Sequence, residues 1–189
     1  MRKLVEVNSI ADIFPEYDKT PVGMFLEYHN LNRPFCHYQQ PQMLIGMCMD
    51  NRKNLWIPDN FAFVIRSGGA NLFYHEFQVS YAIAVGGVRC IALIGHSNCG
   101  MVKLEERKEQ FINGLVKNAG WKKETARMHF ENLSLFFEIG NAVEFVLSEV
   151  KRLRKRYPAV TVAPLFYEVE SGRILQIKEE EKVSSSGTS

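Results

Sequence analysis

His96 and Cys99 stand three residues apart in the segment His96-Ser97-Asn98-Cys99-Gly100, directly after an apolar run. Imidazole and thiolate at that spacing can reach one metal ion from a single turn. The pair suits zinc, which takes four ligands in a tetrahedron. Taken alone, it is equally compatible with a buried thiol. A third ligand has to come from elsewhere, and Cys48, at the end of another apolar run, is the candidate. Two cysteines and one histidine leave the fourth position of a tetrahedral zinc to water, which is the pattern of a catalytic site. Two residues beyond Cys48 lies Asp50, and two beyond that Arg52. If the chain turns there, the guanidinium keeps the carboxylate ionised and fixes its direction. Beside a metal-bound water such a carboxylate accepts the water's hydrogen, or swings onto the metal and closes the site. The competing reading is a surface ion pair in a loop.

These residues are far apart in the chain, so a scaffold must bring strand ends together. The run Met43-Leu44-Ile45-Gly46-Met47-Cys48 reads as a buried strand. Residues 61–65 and 88–94 read as two more, the first ending at Arg66-Ser67-Gly68-Gly69 and the second at Gly95-His96. Helical spacing covers residues 73–85 and stops at Gly86-Gly87. Further helices are predicted over about 20–30, 101–117, 123–137 and 141–156, the last followed by Pro158. Residues 161–169 form a fourth predicted strand, with a turn and a short return strand over 174–177. Apolar strands alternating with amphipathic helices predict an α/β fold with a mainly parallel central sheet flanked by helices. Ligands in such sheets bind beyond the carboxyl ends of the strands, where Cys48 and His96 fall.

A length of 189 residues, 46% hydrophobic and 23% charged, suits one globular domain. We place it over about residues 1–180, with an N-terminal helical arm to about residue 38 and a Ser-rich, disordered tail over 181–189. A net charge of +2 supplies no bulk attraction to nucleic acid or membrane. The basic cluster Lys151 to Arg156 reads as the C-terminal turn of a helix, where cations complement the dipole. No apolar run approaches the ~18 residues needed to span a bilayer. The first residues lack the apolar core of a secretory signal, so a cytoplasmic location is expected. The four cysteines are then better suited to metal binding or burial than to disulfides.

Taken together, Cys48-Met49-Asp50-Asn51-Arg52, Phe63-Val64-Ile65-Arg66, Tyr81-Ala82-Ile83 and Gly95-His96-Ser97-Asn98-Cys99-Gly100 resemble the β-class carbonic anhydrases in order and approximate spacing. The segment from Ala163 to Ile174 is similar to that family's terminal strand and turn. The resemblance implies zinc as cofactor, held by Cys48, His96 and Cys99, with Asp50 and Arg52 as a catalytic dyad. It implies reversible hydration of carbon dioxide to bicarbonate and a proton. Zinc lowers the pKa of bound water from about 15.7 toward about 7, and the resulting hydroxide, oriented by Asp50, attacks the carbon. Two thiolates offset the zinc charge, so groups around the site must matter to that acidity. The family's small substrate pocket, built partly by a dimer partner, corresponds to Gln39, Phe63 and Tyr81, with Gly68 at a tight turn beside it. A homodimer or an assembly of dimers follows from the same resemblance, with no nucleic acid or membrane partner.

Some positions depart from the family pattern. Asn51 stands where serine is usual, Ser67 where asparagine is usual, and the Arg52–Phe61 connection is short. Ile45 occupies a position where some members carry the tryptophan of a second, inhibitory bicarbonate site. The altered rim keeps two other functions in view. One is hydrolysis of carbonyl sulfide or carbon disulfide by the same hydroxide. The other is a non-catalytic zinc protein that binds bicarbonate, against which Asp50 and Arg52 argue.

Overall fold

The structure, a computed structural model, describes residues 3–179. The strands are β1 (Lys3–Val5), β2 (Met43–Cys48), β3 (Ala62–Ser67), β4 (Cys90–His96), β5 (Thr161–Glu168) and β6 (Arg173–Lys178). The α-helices are α1 (Pro21–Leu31), α2 (Glu76–Ala84), α3 (Lys108–Ala119), α4 (Lys123–Phe137) and α5 (Ala142–Arg156). A strand covered on both faces needs apolar residues at every position. β2 and β4 are accordingly buried along their whole length, and β5 everywhere but its ends. The sheet order is β1-β6-β5-β4-β2-β3, parallel from β5 through β4 and β2 to β3 and antiparallel where β6 joins β5 and β1. The predicted α/β fold with a mainly parallel sheet is therefore the observed one. Pro164 has no N–H to donate, and β5–β6 pairing begins one residue after it, at Leu165.

The side-chain period of two sorts the apolar residues into two layers. On one face Met43, Ile45, Met47, Ala92, Ile94, Leu165 and Tyr167 pack against Phe25, Leu26 and Tyr28 of α1. On the other, Leu44, Ile91, Leu93, Val162 and Phe166 pack against Val79 and Ala82 of α2 and Val146, Val150 and Leu153 of α5. Gly95 lets α5 sit close on β4: a Cβ there would lie 2.8 Å from Val146 Cγ2 and 3.1 Å from the Ala142 carbonyl oxygen. Asn141 caps α5, its Oδ1 accepting from the N–H groups of Val143 (2.9 Å) and Glu144 (3.1 Å). At the other end of α5, the basic residues are engaged within the chain. Arg152 pairs with Glu149 and Glu76, and Arg154 donates to the Val162 carbonyl and pairs with Glu179.

The N-terminal arm is built of short pieces around the helix expected over about 20–30. It contributes β1, two single 3-10 turns (Ile10–Asp12 and Pro15–Tyr17) and only then α1. A three-residue strand is too short to show a period, and β1 exists because the β6 edge offers it pairing partners. The helix predicted over 101–117 is shorter. Lys103 adopts φ 53°, a 3-10 turn spans Leu104–Arg107, and α3 starts at Lys108. Likewise Phe73–His75 is a 3-10 turn, with the Phe73 N–H bound to Asn71 Oδ1 at 2.9 Å, so α2 starts at Glu76. The tail expected over 181–189 lies outside the described residues.

Two buried amides tie the arm to β6. Gln176 Oε1 accepts from the Phe14 N–H (2.8 Å) and its Nε2 donates to the Asp12 carbonyl (2.9 Å). Asn30 Nδ2 donates to the Ile174 carbonyl (2.6 Å) and its Oδ1 accepts from the Ile174 N–H (3.0 Å). Asn30→Leu strands both buried groups of Ile174. It should lower the free energy of unfolding by about 2–4 kcal/mol, seen as a lower urea midpoint with an unchanged slope.

Candidate metal centre

Parallel pairing places Met47 of β2 opposite Ile94 of β4. Cys48 and Gly95-His96 therefore leave the sheet side by side at its carboxyl edge. His96 is still paired to β5, opposite Tyr167, and the Ser97 N–H donates to the Tyr167 carbonyl (3.1 Å). Asn98 then takes a left-handed conformation, φ 54°, one that asparagine tolerates better than most residues. The turn brings Cys99 back over Cys48. Ser97 fastens it, its Oγ accepting from the Val169 N–H at 2.9 Å.

The donor atoms of Cys48, His96 and Cys99 all lie within 4.8 Å of one another, and all three residues are buried. The two sulfurs are 4.0 Å apart. Two Zn–S bonds of about 2.3 Å at a tetrahedral angle require about 3.8 Å, so the sulfur pair stands almost at the spacing zinc needs. His96 Nδ1 lies 2.8 Å from the Ser97 carbonyl oxygen. That contact makes Nδ1 the protonated nitrogen and leaves Nε2 with a free lone pair. Nε2 is buried and has no hydrogen-bond partner among the described residues. An orphaned ring nitrogen beside two sulfurs is what a metal ligand looks like without its ion. The thiols favour losing one proton: hydrogen bonding from Cys99 holds Cys48 low, and the same hydrogen bond together with burial pushes Cys99 up. A divalent cation would remove the conflict by taking both as thiolates.

After Cys48 the chain turns as Asp50 and Arg52 require. Arg52 Nη2 lies 2.6 Å from Asp50 Oδ2, and Nε lies 3.0 Å from Oδ1, which also accepts the Arg52 backbone N–H (2.9 Å). This grip, first through the Arg52 side chain, holds the Asp50 carboxyl well below the usual carboxylate range. The carboxylate is 15% exposed and the guanidinium 45%. Arg52 Nη2 also donates to the Asn98 carbonyl (2.9 Å), tying the dyad to the His96–Cys99 turn. Arg66, exposed on β3, braces the loop by donating to the carbonyls of Asp50 (3.4 Å) and Lys53 (3.1 Å).

The other residues singled out in the sequence are not gathered at this centre within one chain. Phe63 and Tyr81 line a cleft of about 250 Å³ with Leu44, Ile65 and Phe77, apart from the three donors. Gln39 is exposed in the loop before β2. Gly68 is buried and borders an apolar cavity with Met49, Met101 and Phe137, and the left-handed residues of that turn are Gly69 and Ala70 (both φ 64°). Three contributors escaped the sequence reading: Arg66 and Ser97 in their bracing roles, and Lys53, whose side chain is buried. Nothing in the spacing of a lysine within a loop signals that it turns inward.

The family model described as carbonic anhydrase matches residues 44–174. A carbonic anhydrase of Synechococcus elongatus is 29% identical, over 79% of this chain, and the chain spans 65% of that relative's length. Among solved structures, β-carbonic anhydrase isoform I of Trichomonas vaginalis superposes with a TM-score of 0.62 at 19% identity, covering 79% of this chain and 91% of that one. The apo form of a carbon disulfide hydrolase superposes with a TM-score of 0.51 at 19% identity, covering 79% and 85%. The two structures show a shared fold.

The donor set predicts one divalent cation per chain. Cobalt(II) should bind stoichiometrically with an intense near-ultraviolet thiolate charge-transfer band. Cys99→Ala should lose that band and weaken binding by at least about tenfold, since a ligand matters no less than the partners behind it.

Proposed function

The chain belongs to the carbonic anhydrase family, in its β class, and from that premise we propose that it interconverts carbon dioxide and bicarbonate at a zinc ion held by Cys48, His96 and Cys99. The observation that carries this reading is the junction of two arrangements. Three buried soft donors, one an unpartnered nitrogen, stand beside a carboxylate gripped by a guanidinium. A purely structural zinc needs no such carboxylate.

Bound there, zinc supplies the Lewis acidity that makes water a nucleophile near neutral pH. Asp50, ionised and acceptor-only, takes a hydrogen bond from the attacking oxygen and turns its lone pair toward the carbon of carbon dioxide. Arg52 keeps the carboxylate from rotating away, and through Asn98 holds it in register with the His96–Cys99 turn. Addition of hydroxide to carbon dioxide gives bicarbonate. The proton released when the next water ionises passes to solvent.

A second copy of the chain completes the pocket in this proposal. Phe77 and Val85 are exposed on and just beyond α2, beside the edge strand β3, in the same region as Phe63 and Tyr81. An apolar patch at an unpaired sheet edge is a surface that association buries. Gln39, Phe63 and Tyr81 then serve the pocket across the interface: apolar rings for carbon dioxide, and the Gln39 amide for a bicarbonate oxygen. Among the described residues no helix is long and apolar enough to cross a membrane. A cytoplasmic location belongs to this reading as well.

A second reading is hydrolysis of carbonyl sulfide or carbon disulfide at the same centre. Its support is the fold shared with a carbon disulfide hydrolase, together with Asn51 and Ser67 at the rim.

Stopped-flow measurement with carbon dioxide and carbonyl sulfide offered in parallel separates the two. The wild-type zinc protein should hydrate carbon dioxide faster than it consumes the sulfur substrate. Asp50→Ala should retain its zinc and lose about a hundredfold or more in kcat/KM. Full activity in that variant would remove Asp50 from the mechanism. Turnover of carbonyl sulfide alone would select the second reading. In sedimentation equilibrium the wild type should run as a dimer or larger, and Phe77→Arg should shift it toward the 21.7 kDa monomer.

A further inference from the structure

Lys53 carries a buried charge that the mechanism above does not use. Its side chain is 1% exposed, and Nζ has no hydrogen-bond partner among the described residues. An ammonium taken out of water without a partner is strongly unfavourable, so something nearby must compensate for it. Its backbone is pinned by the hydrogen bond from Arg66 to the Lys53 carbonyl, and the side chain turns inward from there. Burial, first of all, lowers its pKa from the ordinary lysine value, and the charges of Cys48, Asp50 and Cys99 work against that shift, with Arg66 opposing them. The influence is mutual, since the Lys53 charge favours the ionised forms of Cys48 and Asp50 and offsets part of the upward shift of Cys99.

The other cations near the centre are committed. Arg52 is paired with Asp50, and Arg66 is exposed and bound to backbone carbonyls. Among the described residues near the centre, Lys53 is the buried cation whose charged nitrogen has no hydrogen-bond partner. A divalent metal with two thiolates has no net charge to offer an incoming anion. A positive charge in the low-dielectric surroundings supplies what that ligand set gives away.

We propose that Lys53 is a buried positive charge that strengthens the binding of anions, hydroxide and bicarbonate among them, at the open ligand position of the metal centre. The inference rests on Cys48, His96 and Cys99 holding the metal. Lys53 touches no ligand of the metal through a hydrogen bond, so it acts through the field and is a positioning residue rather than a catalytic one. An apolar side chain of the same length would fill the space equally well and spare the burial of a charge.

The test uses the cobalt-substituted protein and azide, followed through visible absorption, in wild type, Lys53→Met and Lys53→Gln. Neutral imidazole, titrated at pH 8.5, serves as the uncharged control. Both variants should hold one cobalt per chain and bind azide about tenfold more weakly, the size set by one unit charge at short range. Imidazole affinity should stay within about twofold of wild type. Metal-free Lys53→Met should melt no lower than metal-free wild type, because an apolar group of similar length is spared the desolvation that an ammonium suffers there. Azide affinity unchanged in the cobalt-loaded variants would overturn the proposal, as would equal weakening of azide and imidazole. Loss of cobalt or a lowered melting temperature in both variants would also overturn it, by making Lys53 structural. A wild-type chain that takes up no cobalt would sink the site reading, and this inference with it.

Discussion

The centre depends on one junction, the parallel pairing of β2 with β4. Because Met47 lies opposite Ile94, the residues that follow leave the sheet at one level, and two of the three soft donors arrive there without any loop having to find its way. The third needs a single left-handed residue, Asn98, to bring Cys99 back over Cys48. Both strands are buried along their whole length, so a slip of one residue would turn Leu44 and Ile45, or Ile91 and Ala92, onto the wrong layers. The two cores that fix the register thus fix the geometry of the donors. Precision at the centre is a by-product of how tightly the sheet is packed.

Around that junction the electrostatics form a second layer of organisation. Two thiols 4.0 Å apart, in a buried setting, yield one proton readily and hold the other. Such a pair is poised for a cation. Arg52 answers Asp50 and, through the Asn98 carbonyl, joins the loop after β2 to the turn after β4. The loop is shaped further by Arg66 on the edge strand. Carboxylate, guanidinium and turn are therefore tied into one unit.

Much of this was legible in the sequence, for identifiable reasons. Strands covered on both faces write themselves as unbroken apolar runs, so Cys48 and His96 could be placed at strand ends. The i, i+2 spacing of Asp50 and Arg52 needs only a turn to become a bidentate pair. Other features have no such signature. β1 is three residues long and owes its existence to the exposed edge of β6. The interruption at Lys103 depends on tertiary contacts rather than on helix propensity. Lys53 reads as one more loop cation, and its burial follows from how the loop folds under Arg66. Phe63 and Tyr81 were assigned to the pocket by resemblance, yet within one chain they line a separate cleft.

The most direct test of the account is X-ray absorption at the zinc K-edge of the protein purified in zinc-containing buffer. The account predicts two sulfur neighbours at about 2.3 Å, one nitrogen at about 2.0–2.1 Å with the outer-shell scattering of imidazole, and one light oxygen neighbour. A shell of oxygen and nitrogen alone, or of four sulfurs, would contradict it.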